Sequence, residues 1–95
     1  MKQVIIDCRG IEDCAEFWRR YIDAAQPAEG GFGRNLDAFR DALAGGPGWP
    51  GDCEVILENT AALQPLATSA GESFLEALRQ IAEGAVETGA VVKFR

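Results

Sequence analysis

The chain has 95 residues, with nine Lys plus Arg, fifteen Asp plus Glu and no histidine, giving a net charge of −6. That length supports one small domain with a single core, and shares of 47% apolar and 25% charged residues belong to a globular chain, not a disordered one. The acidity argues against nucleic acid as a direct ligand and favours a basic partner, while the missing histidine excludes Ser-His-Asp and Cys-His triads and His-containing zinc sites.

In chain order, the continuous β-branched run Val4 to Ile6 predicts a buried strand of parallel-sheet type. Ile11, Cys14, Phe17, Trp18, Tyr21 and Ile22 then recur at helical spacing, with Asp13 and Glu16 as a capping pair at the helix start. Pro27 and the glycines Gly30, Gly31 and Gly33 end that helix and form a loop. A second helix starts behind Asn35 as N-cap and stops at Gly45 in the C′ position, with Leu36, Phe39 and Leu43 as its apolar stripe. The segment GGPGWPG, Gly45 to Gly51, is too rich in Gly and Pro for regular structure, and Cys53 to Leu57 is the second strand candidate. Asn59 or Thr60 caps a short helical turn around Ala61 to Leu63, limited by Pro65. Ser69 and Glu72 read as a capping box for a third helix, whose face is Phe74, Leu75, Leu78, Ile81 and Ala82 and which Gly84 closes. Ala90 to Phe94 is the last strand.

Strands separated by helical stretches of more than a dozen residues imply crossover connections and a parallel sheet. The expected fold is α/β: a three-stranded parallel sheet packed with three to four helices, in a single domain over residues 1–95. No stretch approaches the roughly 20 apolar residues that span a bilayer, and Met1 to Asp7 lacks the pattern of a signal peptide. Cys8, Cys14 and Cys53 form no CxxC and cannot all pair, which fits a reduced, cytoplasmic protein with structural cysteines.

The informative segment is GFGRNLDAFRDAL, Gly31 to Leu43. Asp37 falls in the first turn of its helix and Asp41 one turn further on, so both carboxylates project from one side, away from the apolar stripe. A solvated helix face accounts for Asp37, which the helix dipole favours, and less well for Asp41, since Asp is a poor mid-helix residue. Gly33, Asn35, Leu36, Asp37, Ala38, Asp41, Ala42 and Leu43 match the G-x-N-L-D-A-x-x-D-x-L signature of the barstar family, small intracellular inhibitors of bacterial ribonucleases, which this chain resembles over essentially its whole length.

The resemblance implies an inhibitor that plugs a ribonuclease active site with its acidic second helix and the preceding loop. On that pattern Asp41 enters the basic phosphate site and Asp37 meets positive groups beside it. Phe32 and Gly33 lie against the base-recognition side of the cleft, Asn35 and Leu36 shape the start of the helix, and Gly45 touches the enzyme after it. The family places further carboxylates on the late helix, where Gln80 and Glu83 are the candidates. Gly31 and Arg40 depart from the pattern, which commonly has an aromatic at the first position and often tryptophan at the second. Arg34 and Arg40 put positive charge on an otherwise anionic face, and Trp49 sits in a loop longer than the family's. These departures imply a partner other than the family's best-known target, such as the nuclease domain of a toxin, with this chain as its immunity protein, a monomer alone and 1:1 in the complex.

Two other classes compete. One is a non-inhibitory interaction module on the same fold, favoured by Gly31 and Arg40. The other is an enzyme using Asp37 and Asp41 as paired carboxylates, but no metal-ligand set, phosphate-cradling loop, nucleophile or cofactor motif accompanies them.

Overall fold

Three short β-branched runs pair into one sheet. A computed structural model describes residues 2–26, 35–45, 53–85 and 91–95. Its elements are strand β1 (Lys2–Asp7), helix α1 (Cys14–Ala25), helix α2 (Leu36–Leu43), strand β2 (Cys53–Glu58), a 3-10 turn (Thr60–Leu63), helix α3 (Phe74–Ala85) and strand β3 (Val91–Phe94). The strands lie in the order β1-β2-β3, all parallel. The fold is α/β, as expected, with three α-helices and the short turn as a fourth helical piece.

The register sets one face of the sheet against the helices. Val4 pairs with Val55 and Ile6 with Leu57, and these in turn pair with Val92 and Phe94. All six belong to or pack against the same cluster as Phe17, Phe39 and Leu78. The opposite face carries Ile5, Ile56 and Lys93 side by side. There Ile5 is 50% exposed, so β1 is not buried on both sides as its unbroken β-branched run implied. It is an edge strand packed by helices on one face, and its burial alternates with the period of two that such a strand requires. On that outer face Lys93 pairs with Glu54 at 3.0 Å.

The helix ends follow local chemistry, with four departures from the sequence reading. Asp13 caps α1, accepting the Glu16 N–H at 2.8 Å, but Glu16 does not return the bond: its carboxylate pairs with Arg19 and Arg20 instead. The helix closes before Pro27 at Gln26, in the left-handed region at φ 44°. Asn59 is left-handed too and makes no side-chain cap for the 3-10 turn; its amide donates instead to Asp7 Oδ1 at 2.8 Å. The S-x-x-E pair that caps α3 is Ser73 with Glu76, whose N–H donates to Ser73 Oγ at 3.3 Å, and not Ser69 with Glu72. Ser73 directly precedes the apolar run, whereas a helix starting at Ser69 would have to absorb Gly71, which has φ 83°. Gly84 lies inside α3, which runs on to Ala85 because Ile81, Ala82 and Ala85 continue its buried face.

An aromatic cluster fills the space between helices. Phe17 meets Trp18 and Phe74 with ring centroids 4.9 and 5.3 Å apart, and Phe39 meets Trp18 and Tyr21 at 5.7 and 5.5 Å. Most of these contacts are edge-to-face, the arrangement that ring quadrupoles favour.

The strand ends are tied by polar groups. Asp7 Oδ1 accepts the Arg9 N–H at 2.9 Å as well as the Asn59 amide, and the Arg20 guanidinium donates to the Asp7 and Arg9 carbonyls. Buried Thr60 donates through both its N–H and its hydroxyl to the Arg95 carbonyl, at 3.0 and 2.9 Å. The Arg9 N–H, with the Asn59 amide and the charges of Arg9 and Arg20, holds the Asp7 carboxyl below its ordinary pKa of 3.8. A carboxylate with a lowered folded pKa contributes stability above its unfolded pKa and loses it as the pH falls through the folded value. Asp7→Ala is therefore expected to lower the urea midpoint at pH 7, and its difference from the parent protein should shrink as the pH falls below 3.8. Equilibrium unfolding at several pH values checks this; a difference independent of pH would show that the carboxylate charge plays no part.

Candidate functional site

Helix α2 has eight residues, too few to be stable alone, so its position depends on its ends and on what it buries. Asn35 is extended at φ −149° and its Oδ1 accepts the Ala38 N–H at 2.8 Å, the expected N-cap. At the other end Gly45 takes φ 96° and its N–H donates to the Ala42 carbonyl at 2.9 Å, the expected glycine terminus. Phe39, Ala42 and Leu43 are buried and Leu36 is half-buried, with Phe39 held between Trp18 and Tyr21.

At about 100° per residue, Asp37 and Asp41 fall on the pole of α2 opposite that buried stripe, with Cβ atoms about 5–6 Å apart. Both are exposed, and the Asp37 side chain retains 93% of its free surface. Arg40 reaches Asp37 at 3.9 Å across an open surface, where such a pair contributes little. Asp41 forms no ion pair among the described residues. Next to α2, helix α3 exposes Glu76 and Glu83, while its basic residue Arg79 lies over the Phe94 ring at 5.7 Å, on the β3 side. The exposed surface of α2 and α3 thus carries Asp37, Asp41, Glu76 and Glu83, with Arg40 and Arg79 as its cations.

Two hollows flank the contact between α2 and α3. The larger, about 540 Å³, lies between the start of α2, the start of α1, the 67–72 turn and α3, and its lining includes Asn35, Leu36, Asp37, Arg40 and Gln80. The smaller, about 190 Å³, is lined by Arg40, Ala44, Gln80, Ile81, Gly84 and Ala85. Arg40, Gln80 and Ile81 line both and form the divide between them. The sequence-derived residues Asn35, Leu36, Asp37, Arg40 and Gln80 are therefore brought together, with Asp41 on the same exposed side of α2. Glu83 is exposed on α3 but lines neither hollow, and Gly45 marks the far end of α2. Phe32, Gly33 and Trp49 lie outside the described residues. Thr68, Ser69 and Glu72 also line the larger hollow, though sequence reasoning treated that segment as a helix cap. Their nearness to α2 is a long-range contact that no local spacing announces.

Cys8 and Cys14 add no chemistry here. Burial pushes the Cys8 thiol up to about 11, and burial together with the Asp13 charge raises Cys14, whose Sγ lies 3.6 Å from the Ala67 carbonyl. A thiol held protonated is a poor nucleophile. Among the described residues no group of His, Cys, Asp or Glu side chains is arranged to hold a metal ion, and no helix is long and apolar enough to cross a membrane.

Comparison with known proteins gives one family match: the model described as Barstar (barnase inhibitor) covers residues 1–95. No curated protein matches the chain.

Because the start of α2 rests on the Asn35 cap, Asn35→Ala is expected to destabilise the protein by about 1 kcal/mol. Urea unfolding checks this, and an unchanged midpoint would mean that packing alone positions the helix.

Proposed function

Since this chain belongs to the barstar family, we propose that it inhibits a bacterial ribonuclease, or is the immunity protein to a ribonuclease toxin, by blocking the basic active-site cleft with α2 and the loop before it. The observation that carries the reading is the ridge of Asp37 and Asp41, one turn apart on the exposed pole of a helix anchored by its opposite face. A ribonuclease cleft must be cationic to hold phosphate, so fixed carboxylates at this spacing mimic what the enzyme is built to bind. Complementary fields speed association, and burying each carboxylate against a cation makes loss of either one costly.

In this reading Asp41 enters the phosphate site and Asp37 meets cations beside it. Phe32 and Gly33 approach the base-recognition side, Asn35 and Leu36 set the start of the helix, and Gly45 touches the enzyme beyond its end. Gln80 contributes from α3 across the divide it shares with Arg40, and Glu83 adds negative charge at the margin. The inhibitor is a monomer that forms a 1:1 complex, acts in the cytoplasm and needs no cofactor. Arg40, a cation between the two aspartates, supports a partner that differs from the family's best-known target. It also supports the competing reading, an interaction module that binds no nuclease.

The test is inhibition of RNA cleavage by a panel of small ribonucleases and toxin nuclease domains, with the parent protein and Asp41→Ala side by side. Stoichiometric inhibition is expected, weakened in the variant by at least about 2 kcal/mol, or roughly 30-fold, and falling with added salt. Equal inhibition by both proteins would sink the assignment of Asp41. No inhibition across a panel that includes genomic-neighbour nucleases would move the interaction module to first place.

A further inference from the structure

The charges of α2 do not all have one sign, and their order around the helix is informative. At about 100° per residue, Arg40 lies about 60° to one side of Asp37 and Asp41 about 40° to the other. Arg40 is on the side of α3, since it lines both hollows together with Gln80 and Ile81, whereas Asp41 lines neither. Read outward from α3, the wall therefore presents an amide, a cation and two anions: Gln80, Arg40, Asp37 and Asp41. Within the chain Arg40 is barely neutralised. Its ion pair among the described residues is with Asp37 at 3.9 Å, and the two side chains stay 68% and 93% exposed. Water, and not a fixed carboxylate, solvates most of this guanidinium.

That solvation is lost when a partner docks. In the nuclease-inhibitor reading Asp37 and Gln80 both meet the enzyme, and Arg40 stands between them, so a surface that touches both also covers the guanidinium. A buried cation without an acceptor is strongly destabilising. Asp37 cannot fill that place while it is engaged by the nuclease's own cations. We infer that the cognate nuclease presents a carboxylate to Arg40, at the α3-facing edge of the cationic cleft that takes Asp37 and Asp41. The planar fork of arginine accommodates a carboxylate through two parallel hydrogen bonds, which a lysine cannot reproduce. The inference rests on the nuclease-inhibitor reading and narrows the partner, from any basic cleft to a basic cleft with an acidic residue at one edge. Arg40 is then a specificity residue. A nuclease with a cation or an apolar side chain at that edge is refused, however basic its cleft.

The test turns on a sign. If Arg40 did no more than dampen Asp37, its removal would free that carboxylate and tighten inhibition of a basic nuclease. If Arg40 meets a nuclease carboxylate, its removal weakens inhibition. Arg40→Gln, Arg40→Lys and Arg40→Glu are titrated beside the parent protein and Asp41→Ala against the nucleases that the parent inhibits, with urea midpoints confirming that each variant is folded. Inhibition is expected to weaken about 30-fold or more in Arg40→Gln and further in Arg40→Glu, with Arg40→Lys between Arg40→Gln and the parent. Each aspartate and glutamate around the cleft of the inhibited nuclease is then changed to lysine in turn. One such reversal should restore inhibition by Arg40→Glu while being refused by the parent protein. Equal or tighter inhibition by Arg40→Gln overturns the inference, and so does a set of reversals in which none rescues Arg40→Glu. In both cases a loss in Asp41→Ala leaves the nuclease-inhibitor reading standing. No inhibition by the parent protein across the panel overturns that reading and this inference together.

Discussion

The geometry of the acidic face depends on one buried ring. Phe39 is the aromatic residue of an eight-residue helix, and it enters a cluster with Trp18 and Tyr21 of α1. Through Trp18 and Phe17 the same cluster reaches Phe74 at the start of α3. A helix of two turns has little cohesion of its own, so this anchor fixes both its tilt and its rotation. Rotation matters most. A turn of about 100°, one residue's worth, would swing Asp37 and Asp41 off the exposed pole and bring Ala38 and Ala42, or Leu36 and Arg40, into their place. Hydrogen bonding at the two ends, by Asn35 and Gly45, sets where the helix begins and stops, and the ring sets which way it faces.

Charge is then separated by element. Several cations outside α2 are occupied elsewhere: Arg19 and Arg20 with Glu16, Arg79 over Phe94, Lys93 with Glu54. Among the described residues, Arg40 is the cation beside Asp37. Within a net charge of −6, the exposed pole of α2 carries Asp37 and Asp41 one turn apart. Such a field steers a basic partner and sets the orientation of encounter. The two like charges on α2 cost a little helix stability, and the packing of Phe39, Ala42 and Leu43 on the far side offsets it.

Much of this was readable from residue order, because strand runs, caps and helical periods are local. Asn35 and Gly45 bound α2 as their chemistry requires, and the three β-branched runs became the three strands. Ambiguity arose where one pattern occurs twice: S-x-x-E is found at Ser69 and again at Ser73, and the choice is made by Gly71, whose left-handed backbone a helix cannot hold. Ile5 misled for a different reason. An unbroken apolar run does not reveal whether a strand has layers on both sides, and here Ile5 stands half exposed on edge strand β1 while Ile56 beside it in β2 is buried. Asn59 took a tertiary partner, Asp7, in place of the cap. Within the candidate site the helix residues were legible through their spacing and their likeness to a family motif. Glu72 and Thr68 reach the same groove through tertiary packing, which no window of sequence contains, and Gln80 was named through the family pattern alone.

The tied strand ends have a consequence for where this fold can work. In open α/β sheets, small ligands occupy a crevice beyond the carboxyl ends of the strands, at the point where strand order reverses. In this sheet the order β1-β2-β3 never reverses, so no such crevice is generated by the topology. The carboxyl ends themselves are stitched together: Arg20 holds the carbonyls of Asp7 and Arg9, Asn59 holds the Asp7 carboxylate, and Thr60 holds the Arg95 carbonyl. The region that serves as a catalytic mouth in other parallel sheets is a closed seam in this chain. Among the described residues, what lies open is the side wall of the molecule, where α2 raises a convex ridge with the trough beside it.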